Sequence, residues 1–144
     1  MDTANASSPG SEPKRSRIGL GALEIFVGLG GVAGGWGLMS APDGSNVGMA
    51  PAWLADSPFP DFLIPGMVLL AVNGIGQLVG GGLTFARARI YTEAAIGLGM
   101  FLMAWILAQV AWVGLVHWMQ PLYFGFGAVE VILGMRLRSP GRLP

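Results

Sequence analysis

Four long apolar stretches, set apart by polar or proline-rich punctuation, dominate the chain. They cover about 18–39, 63–86, 94–116 and 121–137. Each is about 17–24 residues, long enough as a helix to cross a hydrocarbon core about 30 Å thick. Backbone groups in lipid must bond within their own segment or close a barrel. These runs lack the apolar–polar alternation of barrel strands, so they are expected to be helices. The expected fold class is all-α, a four-transmembrane-helix bundle spanning 18–137. Residues 1–17 are rich in Ser, Pro and Asn, show no apolar periodicity, and read as a disordered tail. Residues 138–144 form a second, shorter tail. The basic cluster Lys14, Arg15 and Arg17 suggests a secretory signal, but the following run exceeds the about 7–15 apolar residues of one. Pro42 also stands where cleavage would fall, so the first run reads as a retained signal-anchor helix.

Composition sharpens this picture. The chain is 53% hydrophobic and 11% charged, against about 25% charged in an average soluble domain. Its mean hydropathy is +0.61, which excludes disorder for most of its length. With no Cys, a disulfide framework and a cysteine metal site are both excluded. A formal net charge of zero gives no reason to expect nucleic acid.

The distribution of basic residues sets the orientation. All eight (Lys14, Arg15, Arg17, Arg87, Arg89, Arg136, Arg138 and Arg142) lie in the N-terminal tail, the turn between the second and third spans, or the C-terminal end. Residues 40–62 and 117–120 contain no Lys or Arg but carry Asp43, Asp56 and Asp61. Positive charge marks the cytoplasmic side. Both termini are therefore expected to be cytoplasmic, in a bacterial inner membrane. The outer loop holds Pro42, Pro51, Pro58 and Pro60, with Pro65 just beyond, so no long helix is expected there. Its Trp53, Phe59 and Phe62 are expected at the outer interface, in an aromatic belt with Trp36, Trp112, Trp118 and Tyr123. The alternative, a lid over a ligand site, rests on loop length.

Glycine and polar residues fall in stripes. Eight of the 24 glycines lie in 18–39. Small residues let membrane helices approach closely, and small-xxx-small spacings recur at Gly30/Gly34, Gly31/Gly35, Gly76/Gly80 and Ala95/Gly99. Residues at i, i+4, i+7 and i+11 share a helix face. That rule groups Glu24, Gly28, Gly31 and Gly35 in the first span, and Asn73, Gln77, Gly80 and Thr84 in the second. In the fourth it groups Tyr123, Gly127, Glu130 and Gly134. The third differs, placing Gln109 with Trp105, Trp112 and Val116. These stripes are expected to face inward.

At 1.5 Å per residue, Glu24 lies about 9 Å inside the cytoplasmic boundary, Glu130 about 10 Å and Gln77 about 13 Å. Glu24, Asn73, Gln77 and Glu130 therefore form the candidate intramembrane polar cluster. A carboxylate at such depth costs on the order of 2.5–3.5 kcal/mol, and an intramembrane acid is by default a functional candidate. The structural alternative is that the acids bind helices together, reaching one another, Gln77 or the flanking Arg87, Arg89 and Arg136.

Other chemistry is sparse. A metal site needs three or four ligands, and the lone His117, beside Trp118, reads as an interfacial residue. No phosphate loop or strand-borne dinucleotide fingerprint is present; the glycine-rich 28–37 lies within a lipid-crossing helix. The serines lie in the tails, the outer loop and at the end of the first helix, leaving no placed hydroxyl for a Ser-His-Asp system. Glu93 opens the third span, where a helix N-terminus favours an anion. No enzymatic activity, cofactor or metal is expected.

The segment Ser57-Pro58-Phe59-Pro60-Asp61-Phe62-Leu63-Ile64-Pro65-Gly66, with Val72-Asn73-Gly74, carries a resemblance. So does Trp105-Ile106-Leu107-Ala108-Gln109-Val110 with Trp118-Met119-Gln120-Pro121-Leu122-Tyr123. Together they resemble an uncharacterised family of small bacterial four-helix integral membrane proteins, over roughly 18–137. The resemblance implies the four-span architecture, with roles in it for Asp61, Asn73 and Gln109, and offers no catalytic residue. Glu24 also invites comparison with the first-span glutamate of small multidrug-resistance transporters. Those proteins insert in both orientations and need balanced basic residues, whereas here all eight fall on one side; the long outer loop and Glu130 also depart from that pattern. The expected role is a structural or accessory membrane subunit, partnered by the lipid bilayer, with a homo-oligomer or larger membrane complex left open. The alternative is a small proton-coupled transporter or channel using Glu24 and Glu130.

Overall fold

A computed structural model describes residues 11–138, and the described residues form four helices and no strand. Helix α1 spans Ser11–Ser40. A loop with two short 3-10 turns, Ser45–Val47 and Pro51–Leu54, leads to α2, Leu63–Phe85. Helix α3 spans Tyr91–Val113 and α4 spans Met119–Leu137. Three of these, α1, α2 and α3, are long and apolar enough to cross a membrane. Helix α4 is 19 residues long and includes Glu130 and Arg136.

Several boundaries differ from those expected. Residues 11–17 belong to α1 and are helical rather than part of a disordered tail; residues 1–10 and 139–144 lie outside the described residues. Arg17 anchors the segment by donating from Nη1 to the carbonyls of Thr84 at 3.2 Å and Phe85 at 3.4 Å. Those carbonyls belong to the last turn of α2, which lacks intrahelical partners for them. Helix α3 starts three residues before the expected 94 and ends at Val113, not 116. Gly114 stops it with φ 85° and ψ 177°, a region open essentially to glycine alone. Val116 therefore lies beyond the helix and shares no helical face with Gln109.

Two side chains hold the turn from α3 to α4: His117 Nδ1 accepts the Met119 amide at 3.2 Å, and Gln120 bonds three backbone groups. Gln120 Oε1 accepts the amides of Val116 at 2.9 Å and His117 at 3.2 Å, and its Nε2 donates to the Gly114 carbonyl at 3.2 Å. At the other end of α3, Arg138 and Glu93 form an ion pair at 3.7 Å. The α2–α3 turn closes with Ala88 N–H to Leu83 O at 3.0 Å and Arg87 N–H to Thr84 O at 3.3 Å. This is a Schellman ending with Arg87, at φ 55°, in the left-handed position usually taken by glycine.

Helices α1 and α2 pack along one another, as do α3 and α4, and α1 also contacts α4. Polarity is inverted relative to a water-soluble core. Glu24, Asn73, Gln77, Thr84, Thr92, Gln120 and Glu130 are buried, while Phe26, Leu29, Ile75, Val79, Met100, Leu107 and Met135 are more than half exposed. Soluble proteins rarely bury such groups or expose so many large apolar ones, whereas polar groups facing inward are the rule within lipid.

Glycine sets the helix separation. A Cβ on Gly31 would run into the backbone of Asn73, and one on Gly35 would stand 2.6 Å from Leu70 N and 2.8 Å from Gly66 O. Within α2, Leu69–Gly76 is π-helical, and Gly31 meets this wider segment.

The loop from α1 to α2 folds back over the bundle end. The Phe62 amide donates to the Pro42 carbonyl at 2.9 Å, closing its base. Leu38, Leu54 and Phe62 form a buried cluster flanked by Met49, Trp53, Phe59 and Leu69. Phe59 meets Trp112 edge-on, with ring centroids 5.4 Å apart. Trp53, Phe59 and Phe62 thus pack inward and do not join an outward belt, because the four loop prolines hold the chain in short turns that aim these rings at the bundle. Trp36 and Trp118, at 65% and 68% exposure, do face outward.

Candidate functional site

The bundle holds two distinct places where chemistry is concentrated. The first is the set of buried acids toward the basic end. On α1, the buried face runs Leu20, Gly21, Glu24, Val27, Gly28, Gly31, Gly35 and Leu38, a helical spacing that turns Glu24 inward. On α2, Asn73, Gln77, Gly80 and Thr84 are all buried, and on α4 so are Gly127, Glu130 and Gly134. Glu24, Gln77 and Glu130 have no exposed surface.

Thr84 Oγ1 donates to Glu24 Oε2 at 2.6 Å, joining α2 to α1. Gln77 Nε2 donates to Glu130 Oε2 at 2.9 Å, joining α2 to α4. Gly80 makes room for this arrangement: a Cβ there would stand 3.1 Å from Glu24 Oε1. Glu24 Oε1, Glu130 Oε1 and Gln77 Oε1 are buried without a hydrogen-bond partner. The hydrogen bonds of these acids run to Thr84 and Gln77 rather than to Arg87, Arg89 or Arg136; among the described residues the ion pair is Arg138–Glu93. Thr84 was placed in the α2 stripe by spacing, but nothing in the sequence singled it out as the partner of an acid.

Asn73, four residues before Gln77 on the same buried face of α2, makes no side-chain hydrogen bond with this set. It is 1% exposed, and both its Oδ1 and its Nδ2 lack partners. It lines an inner chamber of about 200 Å³ with Val27, Leu102, Trp105 and Gln109. This chamber adjoins a larger cavity of about 410 Å³ under the loop, and Trp105 and Gln109 belong to both walls. Trp53, Phe59, Trp112 and His117 also line the larger cavity. Buried Val27, Leu102 and Ile106 form an apolar layer at the inner chamber, with Glu24 about one turn further along α1. Glu24, Gln77 and Glu130 are not among the residues that line either cavity.

Among the described residues, no group of three or more His, Cys, Asp or Glu is placed to hold a metal ion. No family model, curated protein or solved structure matches the chain.

Proposed function

We propose that the chain is a multi-pass protein of the bacterial inner membrane in which α4 is a fourth span and both termini are cytoplasmic. In this reading it has no catalysis of its own and serves as a structural or accessory subunit, in a homo-oligomer or a larger membrane complex. The observation that carries the reading is the way the buried polar groups are used. Thr84–Glu24 and Gln77–Glu130 each tie two helices together, while glycines bring backbones into contact beside them. Close packing and interhelical hydrogen bonds are what hold helices together where lipid supplies no hydrophobic drive.

A second reading, a proton-coupled carrier or channel, draws on the unpartnered oxygens of Glu24, Glu130 and Gln77. Purified protein with Glu24→Gln or Glu130→Gln separates the two in liposomes. Polar glue predicts lower thermal stability and no proton-linked flux in either parent or variants. Proton flux in the parent, lost in variants that still fold, would replace the first reading with the second. Because the chain has no Cys, orientation is testable by single replacements. Ser45→Cys and His117→Cys should label from the periplasmic side, and Arg89→Cys from the cytoplasmic side only.

A further inference from the structure

We propose that the cavity beneath the loop is a binding site for a neutral, mainly apolar ring compound bearing a carbonyl oxygen, which docks that oxygen against Asn73 and Trp105. The inference stands on the wall chemistry and not on the subunit role or on the acid set. The larger cavity and its inner chamber, about 410 and 200 Å³, fall together in the range that holds a drug-sized ligand. Their walls contain no Asp, Glu, Lys or Arg, so a charged occupant would be desolvated without compensation. Trp53, Phe59, Trp105 and Trp112 supply flat faces and edges suited to a ring.

The buried end of the site selects the polar group. Asn73 Nδ2 and Trp105 Nε1 are both buried donors without partners, and both residues line the inner chamber. A buried donor left unpaired costs about 1–3 kcal/mol, and native proteins leave few. A carbonyl oxygen has two lone pairs and no hydrogen, so it has the capacity to accept from either donor or from both, while Asn73 Oδ1, also unpartnered, gains nothing from it. A plain acyl chain would fill the volume and leave both donors unmet. Asn73 lies ten residues into α2 from its loop end, and the larger cavity that adjoins its chamber reaches His117 and Val47 at that end.

Two probes of nearly the same shape test this: 1,4-naphthoquinone, which carries the carbonyls, and naphthalene, which does not. Binding to the full chain in detergent is followed by quenching of tryptophan fluorescence by the quinone, with naphthalene as competitor. Saturable one-to-one binding is expected, with the quinone at least about tenfold tighter, as one good hydrogen bond allows. Asn73→Leu and Trp105→Phe should each reduce that preference about three- to tenfold while leaving naphthalene affinity unchanged. Unchanged naphthalene binding also reports that a variant has folded; should Asn73→Leu fail to fold, Trp105→Phe carries the test. Equal affinity for the two probes would mean that water meets Asn73, and would overturn the proposal. So would the absence of saturable binding, or a preference that survives both substitutions.

Discussion

Gly99 of α3 and Gly127 of α4 meet backbone to backbone. A Cβ on Gly99 would stand 2.6 Å from the Gly127 carbonyl oxygen, and one on Gly127 would stand 2.7 Å from that of Gly99. Real side chains do not approach backbone oxygens that closely, so each glycine is required by the other. Gly99→Ala or Gly127→Ala is expected to destabilise the bundle by about 1–3 kcal/mol through overpacking. Gly97→Ala and Gly125→Ala, on the same two helices with nothing within 4 Å of the added carbon, should show no loss. Thermal unfolding of the four variants in one detergent checks the contrast; four equal effects would refute it.

The hydroxyl of Thr84 matters more than its bulk. Thr84→Val keeps the shape but leaves Glu24 Oε2 without the donor now 2.6 Å away. An unmet buried acceptor costs about 1–3 kcal/mol, and a loss of that size is expected in denaturant midpoint. Thr84→Ser restores the donor and should recover most of it. Arg17 bonds the backbone carbonyl of Thr84, so neither substitution removes that contact.

The two helix-ending turns should respond in opposite directions. Arg87 holds a left-handed conformation at φ 55°, which costs a non-glycine residue about 1–2 kcal/mol. Arg87→Gly is therefore expected to stabilise, by about 0.5–1 kcal/mol once the greater freedom of the unfolded glycine is deducted. Gly114 has open space around it but a backbone conformation that a side chain resists. Gly114→Ala should destabilise by about 1–3 kcal/mol. Melting temperatures moving apart in these two variants would bear this out.

In the loop, the Ser45 hydroxyl donates to Asp43 Oδ1 at 2.7 Å and the Ser45 amide donates to it at 3.0 Å. Both hold the Asp43 carboxyl below its ordinary value of 3.8. With the folded value the lower one, the stabilisation is fully present above the unfolded value. It is lost as pH falls through the folded one. Ser45→Ala should bring the Asp43 titration, followed by carboxyl NMR shifts, back toward its ordinary value. A titration that does not move would show that the amide alone sets it.

The stripes containing Glu24, Gln77 and Glu130 were legible because a helix repeats every 3.6 residues, and polar groups on such apolar segments have one sheltered side to turn toward. Spacing alone brought Thr84 onto the right face. What spacing cannot carry is the identity of partners distant in sequence: Thr84 meets Glu24 across 60 positions, and Arg17 reaches Thr84 across 67. Arg17 also explains why 11–17 looked unstructured, since its anchor lies on another helix. The early end of α3 rests on the φ of Gly114, and one glycine among 24 carries no mark of its backbone angle. Trp53, Phe59 and Phe62 looked like interface residues because aromatic rings suit both an interface and a cavity wall. Only the folded-back path of the loop, fixed by the Phe62–Pro42 bond, decides between them.

The π-helical stretch of α2 has a consequence for tolerated changes in chain length. Each of its hydrogen bonds spans five residues where an α-helix spans four, so Leu69–Gly76 stores surplus chain that ordinary helical winding would not accommodate. A one-residue deletion elsewhere in α2 would swing every later side chain by about 100°, carrying Gln77 or Thr84 away from its acid. Within the stretch, the same deletion can be absorbed by rewinding to α geometry while the downstream face keeps its bearing. This helix thus contains its own slack, in a stretch whose Leu69 and Asn73 line the inner chamber and which ends just before Gln77.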